Sequence, residues 1–198
     1  MAERLSVFGL GYVGCVSAVC LARMGHSVVG VDVNPAKVDL LAAGKSPIVE
    51  ADIDELVSEM VASGRLTATS DVPRAVEESD ISLVCVGTPS RRNGSLDLSY
   101  IRRVCEQIGQ SLVRKARHHV VAIRSTALPG TMDDPESFTQ LHAAHTPIKT
   151  VAIKNPSTIH PPNVSATHPR PKHFVAKRDF CCVLQSKIPH ESVFREAA

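Results

Sequence analysis

Residues 8–14 read F-G-L-G-Y-V-G and set three glycines, Gly9, Gly11 and Gly14, at the spacing G-x-G-x-x-G. The stretch follows a short apolar run, Leu5–Phe8, that predicts a buried strand, and it opens a proline-free stretch that predicts a helix. A glycine turn in this context is typical of dinucleotide binding. Gly9 would make the tight turn, Gly11 would leave room for a pyrophosphate, and Gly14 would let helix and strand pack closely. The alternative is a strand-to-helix turn that holds no ligand.

The first 132 residues alternate between apolar runs of strand length and stretches of helix length. The predicted strands span residues 5–8, 27–31, 81–86 and 119–123, and the predicted helices span residues 12–24, 35–43, 53–62 and 98–117. The expected buried stripe of the first helix consists of Val13, Val16, Cys20 and Met24. Asp97 is the expected N-cap of the last helix. Such alternation indicates parallel strands with right-handed crossovers, so the sequence predicts an α/β fold, a Rossmann-like doubly wound parallel sheet.

Composition changes near residue 132. All eleven glycines lie at or before Gly130, whereas residues 133–198 hold eight of the thirteen prolines and six of the nine histidines. Proline-rich stretches break helices and do not pair inside sheets. The sequence therefore predicts a nucleotide-binding domain over residues 1–132 and an atypical tail over residues 133–198, poorly ordered or out of register with the domain. The tail histidines lack the spacing of a zinc site, so no metal is expected.

Charge and cysteine usage exclude several classes of protein. A net charge of +2 on 198 residues gives no reason to expect nucleic acid or a membrane as partner. The N-terminus runs directly into the glycine motif, which predicts that no signal peptide is present. The six cysteines form no C-x-x-C pair, and the expectation is reduced thiols in the cytoplasm. Cys15, Cys20 and Cys85 are expected to be buried thiols that behave as small apolar residues.

Asp32 ends the second predicted strand, 18 residues after Gly14. A carboxylate at that place accepts hydrogen bonds from an adenosine ribose, and it would repel a 2′-phosphate, so NAD is favoured over NADP. The alternative role for Asp32 is an N-cap for the helix that begins near Pro35. Lys37 lies one helical turn further on and would reach the ribose or phosphate edge, or else be an ordinary surface lysine.

Two later segments follow predicted strands at the edge of the sheet where open α/β folds bind ligands. They are residues 86–90, which contain Thr88, and residues 124–126, which end at Thr126. Either threonine hydroxyl would touch the ribose or nicotinamide side of a cofactor. Ordinary turn chemistry explains the same residues equally well.

Taken in order, these motifs resemble the NAD-dependent nucleotide-sugar 6-dehydrogenases, which oxidise UDP-glucose or GDP-mannose to the uronate. The resemblance covers about residues 1–132 and is carried by F-G-L-G-Y-V-G at 8–14, G-V-D-V at 30–33, G-K-S-P-I-V-E at 44–50, V-G-T-P-S-R-R-N-G-S-L-D-L-S-Y-I at 86–101 and R-S-T-A-L-P-G-T at 124–131. The later motifs are similar to the GDP-mannose branch, which serves alginate synthesis. The resemblance implies NAD contacts from Tyr12, Val13, Asp32, Lys37, Thr88 and Thr126.

The resemblance also implies a chemistry that this chain does not carry by itself. Family members transfer two hydrides to two NAD molecules and hold the intermediate on a cysteine in a G-G-S-C-like motif. That motif does not occur in the sequence, so no catalytic residue is assigned and the 198-residue chain is expected to be inactive. A frameshift, an internal deletion or a real extension would each explain the tail. The full-length enzyme would bind a nucleotide sugar and form a homo-oligomer. The alternatives are a UDP-glucose 6-dehydrogenase relative and an NAD-binding fragment that catalyses nothing.

Overall fold

The computed structural model describes residues 2–50, 53–115, 117–125 and the backbone of 148–152. In these ranges the chain forms six strands and five helices. In chain order they are β1 (Arg4–Phe8), α1 (Tyr12–Arg23), β2 (Ser27–Val31), α2 (Pro35–Ala42), α3 (Ile53–Ala62), β3 (Leu66–Thr69), α4 (Val72–Glu78), β4 (Ile81–Val84), α5 (Ser99–Leu112), β5 (His119–Ile123) and β6 (Ile148–Ala152).

All strands are parallel and lie in one sheet in the order β3-β2-β1-β4-β5-β6. β1 lies at the centre, where Phe8 is in register with Val31 of β2 on one side and Val84 of β4 on the other. From β1 the chain adds β2 and then β3 on one side of the sheet, and it then crosses back to add β4, β5 and β6 on the other side. The predicted Rossmann-like doubly wound sheet is confirmed, and its strand order reverses beside β1, where such folds bind ligands.

Two apolar cores cover the two faces of the sheet. One contains Leu5 and Val7 of β1 together with buried residues of α1, α2 and α3. The other contains Phe8 of β1 with buried residues of α4 and α5. Because side chains alternate along a strand, adjacent residues of β1 supply opposite cores. None of the helices in the described ranges is long and apolar enough to cross a membrane.

The buried face of α1 differs from the predicted stripe. The helix buries Cys15, Ala18, Val19 and Ala22, whereas Val13 is 42% exposed and Val16 and Cys20 are partly exposed. Gly14, Cys15 and Ala18 are the small buried residues nearest the glycine turn, which brings the start of α1 close to the sheet. Val19 and Leu21 are buried further along the helix. The predicted stripe was wrong for Val13, which is exposed, whereas Val16 is partly buried and packs against the core.

Several boundaries also differ from those predicted. β3 and α4 had no clear signal, since β3 is a short edge strand with one buried residue, Leu66, and α4 has only seven residues. β4 ends at Val84 and α5 spans Ser99–Leu112, shorter than expected. The N-cap of α5 is Leu98 rather than Asp97, but the Asp97 carboxylate accepts a hydrogen bond from the Ser99 N–H at 3.0 Å. Asp97 therefore caps α5 from the residue before the N-cap position.

β6 lies beyond residue 132, in a stretch for which the sequence predicted no strand. Its backbone pairs with β5 from His119↔Ile148 to Ile123↔Ala152. The run I-K-T-V-A contains residues that favour strands, but it is short. The proline and histidine residues on both sides of it made the whole stretch read as irregular.

Candidate functional site

The glycine turn after β1 is fixed by backbone contacts. Gly9 has a φ of +96°, a conformation that side chains rarely adopt, and its N–H donates to the Val31 carbonyl at 2.8 Å. A Cβ on Gly9 would stand 3.1 Å from the carbonyl of Cys85, at the end of β4. Glycine is therefore required at this position by backbone angle and by space.

Gly14 and Gly11 lack side chains for different reasons. A Cβ on Gly14 would collide with the Gly9 carbonyl oxygen, so this glycine lets α1 approach the turn. A Cβ on Gly11 would meet nothing within 4 Å. The space beside Gly11 is thus open to a ligand, which is the property that a pyrophosphate needs at the second glycine of the motif.

The N-terminus of α1 faces this open space. Gly11 is its N-cap, with φ −77° and ψ −170°, and has no side chain to accept a bond from the first-turn N–H groups. The first turn contains no acidic residue. Unpaired N–H groups and the positive end of the helix dipole favour an anion at such a place.

Asp32 connects the end of β2 to the glycine turn. Its Oδ2 accepts a hydrogen bond from the Leu10 N–H at 2.7 Å, and its Oδ1 accepts one from the Asn34 N–H at 2.9 Å. The Lys37 Nζ lies 3.6 Å from Oδ2, and the Asp32 side chain is only 9% exposed. A carboxylate has about four lone-pair sites, so this one keeps acceptor capacity for ribose hydroxyls.

The alternative role of Asp32 as a helix cap is wrong. Asn34 is the N-cap of α2, and its side-chain oxygen accepts from the Ala36 N–H at 3.0 Å. Asn34 was not predicted as the cap, although asparagine directly before a proline at the first helical position is a start signal that could have identified it. Asp32 therefore does not cap α2.

Tyr12 and Val13 lie at the mouth of the site and are 57% and 42% exposed. The pKa of the Tyr12 hydroxyl is raised, first by the charge of Glu50, then by burial and by a hydrogen bond to the same carboxylate. Residues 44–50 therefore approach the first turn of α1 through Glu50. Glu50 was not predicted as part of the site.

The loops after β4 and β5 meet beside the glycine turn. A Cβ on Gly9 would lie 3.2 Å from the Cα of Val86, and the Ser125 hydroxyl donates to the Val86 carbonyl at 2.7 Å. Thr88 is half-buried two residues beyond Val86. Ser125 belongs to the segment 124–126 that was predicted at this edge, although it was given no role of its own, and Thr126 lies outside the described residues.

The pKa values of the described cysteine thiols are all raised, so these thiols stay protonated near neutral pH. Burial raises the pKa of the Cys15 thiol, and it raises that of Cys85 to about 11 and that of Cys105 to about 12. Cys20 is only partly buried, contrary to expectation, and its pKa is also raised by burial. A protonated thiol is a poor nucleophile, so these groups serve as packing residues.

A metal site finds no support in the part of the chain that the structure describes. No group of three or more histidine, cysteine, aspartate or glutamate side chains is placed there to hold an ion. The tail histidines and the pair Cys181 and Cys182 lie outside the described residues.

Comparison with known proteins agrees with this geometry. Over 131 residues the chain is 52% identical to GDP-mannose 6-dehydrogenase from Pseudomonas aeruginosa, and over 129 residues it is 54% identical to the same enzyme from Azotobacter vinelandii. Over 134 residues it is 44% identical to UDP-glucose 6-dehydrogenase from Rhizobium meliloti. These alignments cover about two thirds of this chain, 65–67%, but only 30% of each relative.

Solved structures that match this chain are also nucleotide-sugar dehydrogenases. A ternary complex of GDP-mannose dehydrogenase from Pseudomonas aeruginosa matches with a TM-score of 0.71 and 44% identity over 75% of this chain and 35% of that one. A UDP-glucose dehydrogenase from Pyrobaculum islandicum matches with a TM-score of 0.73 and 37% identity over 77% and 35%. Residues 3–175 match the family profile of the NAD-binding domain, which reaches past the stretch that carried the resemblance in the sequence. The chain belongs to the UDP-glucose/GDP-mannose dehydrogenase family, and its cofactor is NAD.

Proposed function

We propose that this chain is the NAD-binding part of a GDP-mannose 6-dehydrogenase, an enzyme that oxidises GDP-mannose to GDP-mannuronate with two NAD. The GDP-mannose relatives named above are 52% and 54% identical, against 44% for the UDP-glucose relative. That difference favours the GDP-mannose branch. The chain spans about a third of the length of the relatives it matches, so the activity proposed is that of the full-length enzyme.

One observation carries the assignment of the cofactor site. The Asp32 carboxylate is held at 2.7 Å by the Leu10 N–H, beside the open space at Gly11. An adenosine ribose bonded to Asp32 would thus have its pyrophosphate next to the N-terminus of α1. A charged acceptor beside an anion site matches a dinucleotide better than a lone phosphate.

The remaining residues receive roles from their places around this centre. Lys37 would neutralise Asp32 and contact the ribose edge. The backbone of Tyr12 and Val13 would bond the pyrophosphate from the first turn of α1. Thr88 and Thr126 would bond the nicotinamide side, because the loops after β4 and β5 lie across the turn from Asp32.

NAD supplies the hydride acceptor, and this chain supplies binding and orientation. The described thiols are protonated and packed, so the covalent step would fall to residues of the full-length enzyme.

We place the enzyme in the cytoplasm because the described cysteines are all free thiols. The domain boundary at residue 132 and the homo-oligomer stay predictions, and β6 lies on the far side of that boundary.

Two measurements test the proposal. Calorimetric titration of the chain with NAD and NADP should give the tighter binding for NAD, since a 2′-phosphate would face the Asp32 carboxylate. Equal affinities would contradict the role of Asp32.

Assays of the full-length enzyme with GDP-mannose and UDP-glucose then decide the substrate. Faster NADH formation with UDP-glucose would assign the chain to the other branch.

A further inference from the structure

Five buried polar residues interrupt the apolar core away from the glycine turn. They come from different elements and are each 2% exposed or less: Ser6, Ser79, Ser82, Lys115 and His119. The Ser6 and Ser82 hydroxyls are 2.8 Å apart, and Ser79 lies 2.9 Å from Ser6. No residue of this cluster belongs to the candidate cofactor site, so an inference from it does not depend on the function proposed above.

Lys115 caps the C-terminal end of α4 from inside the protein. Its Nζ donates to the Val76 carbonyl at 2.6 Å and to the Ser79 carbonyl. Helix C-termini carry unpaired carbonyls and partial negative charge, which a buried ammonium satisfies. The third bond of Nζ, at 3.0 Å, goes to the Nδ1 of His119.

This arrangement fixes the protonation of His119. A charged Lys115 has three donors and no acceptor, so with Lys115 as an ammonium Nδ1 carries a lone pair. The ring proton is therefore on Nε2, which donates to the Ser82 hydroxyl at 2.8 Å. A second proton on Nδ1 would set two donors against each other and bring two positive charges within 3.0 Å in the core.

Charged groups surround the pair on several sides. The pKa of His119 is lowered to about 4, first by burial and then by the Lys115 charge, while Asp80 and the Ser79 backbone act in the opposite direction and His118 adds slightly to the lowering. The pKa of Lys115 is also lowered, first by burial. Asp80 and Glu77 oppose that effect, and Arg117 and Arg4 add to it. Asp80 is itself paired with Arg4 at 2.7 Å.

We propose that Lys115 and His119 form an acid-sensitive latch that holds the end of α4 against β4 and β5. While His119 is neutral, the two side chains join α4, β4, β5 and, through Ser6, β1. Protonation of His119 removes the acceptor for Lys115, and the ammonium leaves the Val76 and Ser79 carbonyls. The end of α4 then opens.

The direction of the pH dependence follows from the lowered pKa of His119. An ordinary histidine titrates near pH 6.5, so the opened chain binds a proton more readily than the closed one. The stabilising effect of the latch is therefore complete above about pH 6.5 and is lost as the pH falls toward 4. Between pH 7 and 5 the opening equilibrium should increase on the order of 10- to 20-fold.

Hydrogen exchange and histidine NMR on the 198-residue chain test the latch. Protection factors of the α4 amides should fall on the order of 10-fold between pH 7 and 5 in the wild type and in His118→Asn, which changes the exposed neighbouring histidine. His119→Asn keeps an acceptor for Lys115 but has no proton to gain. Its α4 protection should not change over this range, and an equal fall in this variant and the wild type would overturn the proposal.

The nitrogen chemical shifts decide the matter if His119→Asn does not fold. In the wild type the His119 ring should carry its proton on Nε2 and should not titrate above about pH 5. Lys115→Met removes the neighbouring cation and should move the His119 titration to higher pH, whereas Arg114→Met, on an exposed residue of the same segment, should not. A proton on Nδ1, or a His119 midpoint near 6.5 in the folded wild type, would overturn the proposal.

Discussion

The carboxylate of Asp32 accepts a hydrogen bond from the backbone N–H of Leu10 at 2.7 Å, which ties the end of β2 to the glycine turn after β1. The same carboxylate is bonded by Asn34 and approached by Lys37. In the proposed site, the residue that would bind the ribose therefore also fixes the turn that would receive the pyrophosphate. Changes at Asp32 should affect both parts of the cofactor.

Asp32→Ala should weaken NAD binding by about 1–3 kcal/mol, because the Leu10 N–H and the ribose hydroxyls both lose their acceptor. Asp32→Asn keeps one acceptor oxygen and loses the charge. It should therefore bind NAD better than the alanine variant and discriminate less against NADP than the wild type. Calorimetric titration of both variants with both cofactors measures these differences. An alanine variant that binds NAD as the wild type does would contradict the role of Asp32.

Gly11→Val should abolish NAD binding and leave the protein folded. The side chain would enter the open space at the N-terminus of α1, where a Cβ meets no protein atom within 4 Å. The φ of −77° is accessible to valine, so no backbone strain is expected. Circular dichroism checks the fold and titration checks binding. Retained NAD affinity in a folded variant would mean that the turn does not hold the pyrophosphate.

Gly14→Ala should destabilise the fold, unlike Gly11→Ala, which is its matched control. An alanine Cβ at position 14 would collide with the Gly9 carbonyl oxygen, so α1 has to move away from the turn. Overpacking of this kind costs about 1–3 kcal/mol of unfolding free energy. Urea denaturation of the two variants compares them. Equal midpoints would show that α1 can shift at no cost.

The sequence predicted the sheet and the glycine turn because both depend on local pattern. Leu5–Phe8 and Ser27–Val31 are apolar runs that end at a glycine or an aspartate, and such runs mark buried strands wherever they pack. The stripe of α1 could not be found in the same way. Which residues face the sheet depends on how closely Gly14 lets the helix approach, and that distance is limited by Gly9 and Cys85, which directly follow β1 and β4.

The polar cluster was missed for a related reason. Ser6, Ser82 and His119 are separated by up to 113 residues, and each stands alone in an apolar strand. Only the strand order, with β1 beside β4 and β4 beside β5, brings them together. Asn34 was missed for a different reason, because asparagine directly before Pro35 is a local signal for a helix start that could have been used.

Arg4→Gln should slightly destabilise the protein at pH 7 and should make its stability depend less on acid than that of the wild type, so that the two proteins become alike at pH 3. The Arg4 guanidinium donates two hydrogen bonds to Asp80, at 2.7 and 2.9 Å, and this lowers the pKa of the carboxyl. A carboxyl with a lowered pKa stabilises the fold above its ordinary pKa near 4, and the effect is lost as the pH falls below that. The Arg4 side chain is 40% exposed and the Asp80 side chain 33% exposed, so solvent screens the pair and the loss of stability at pH 7 should be small. Urea denaturation at pH 7 and 3 measures it. A large loss at pH 7 would show that the pair is better shielded from solvent.

The 198-residue chain should bind NAD and yet form no NADH from GDP-mannose. The first hydride transfer needs a bound nucleotide sugar, and this chain spans only 30% of the length of the GDP-mannose relative. The second oxidation, from aldehyde to acid, needs a thiolate to hold the aldehyde, and Cys15, Cys85 and Cys105 are buried with raised pKa values. The sequence also contains no glycine after Gly130, and hence no G-G-S-C-like motif. Absorbance at the NADH band during incubation with GDP-mannose and NAD measures turnover. Gly11→Val serves as the control, because any signal that it shares with the wild type arises from a contaminating enzyme. NADH formation by the wild type that Gly11→Val abolishes would prove that this chain carries a catalytic group of its own.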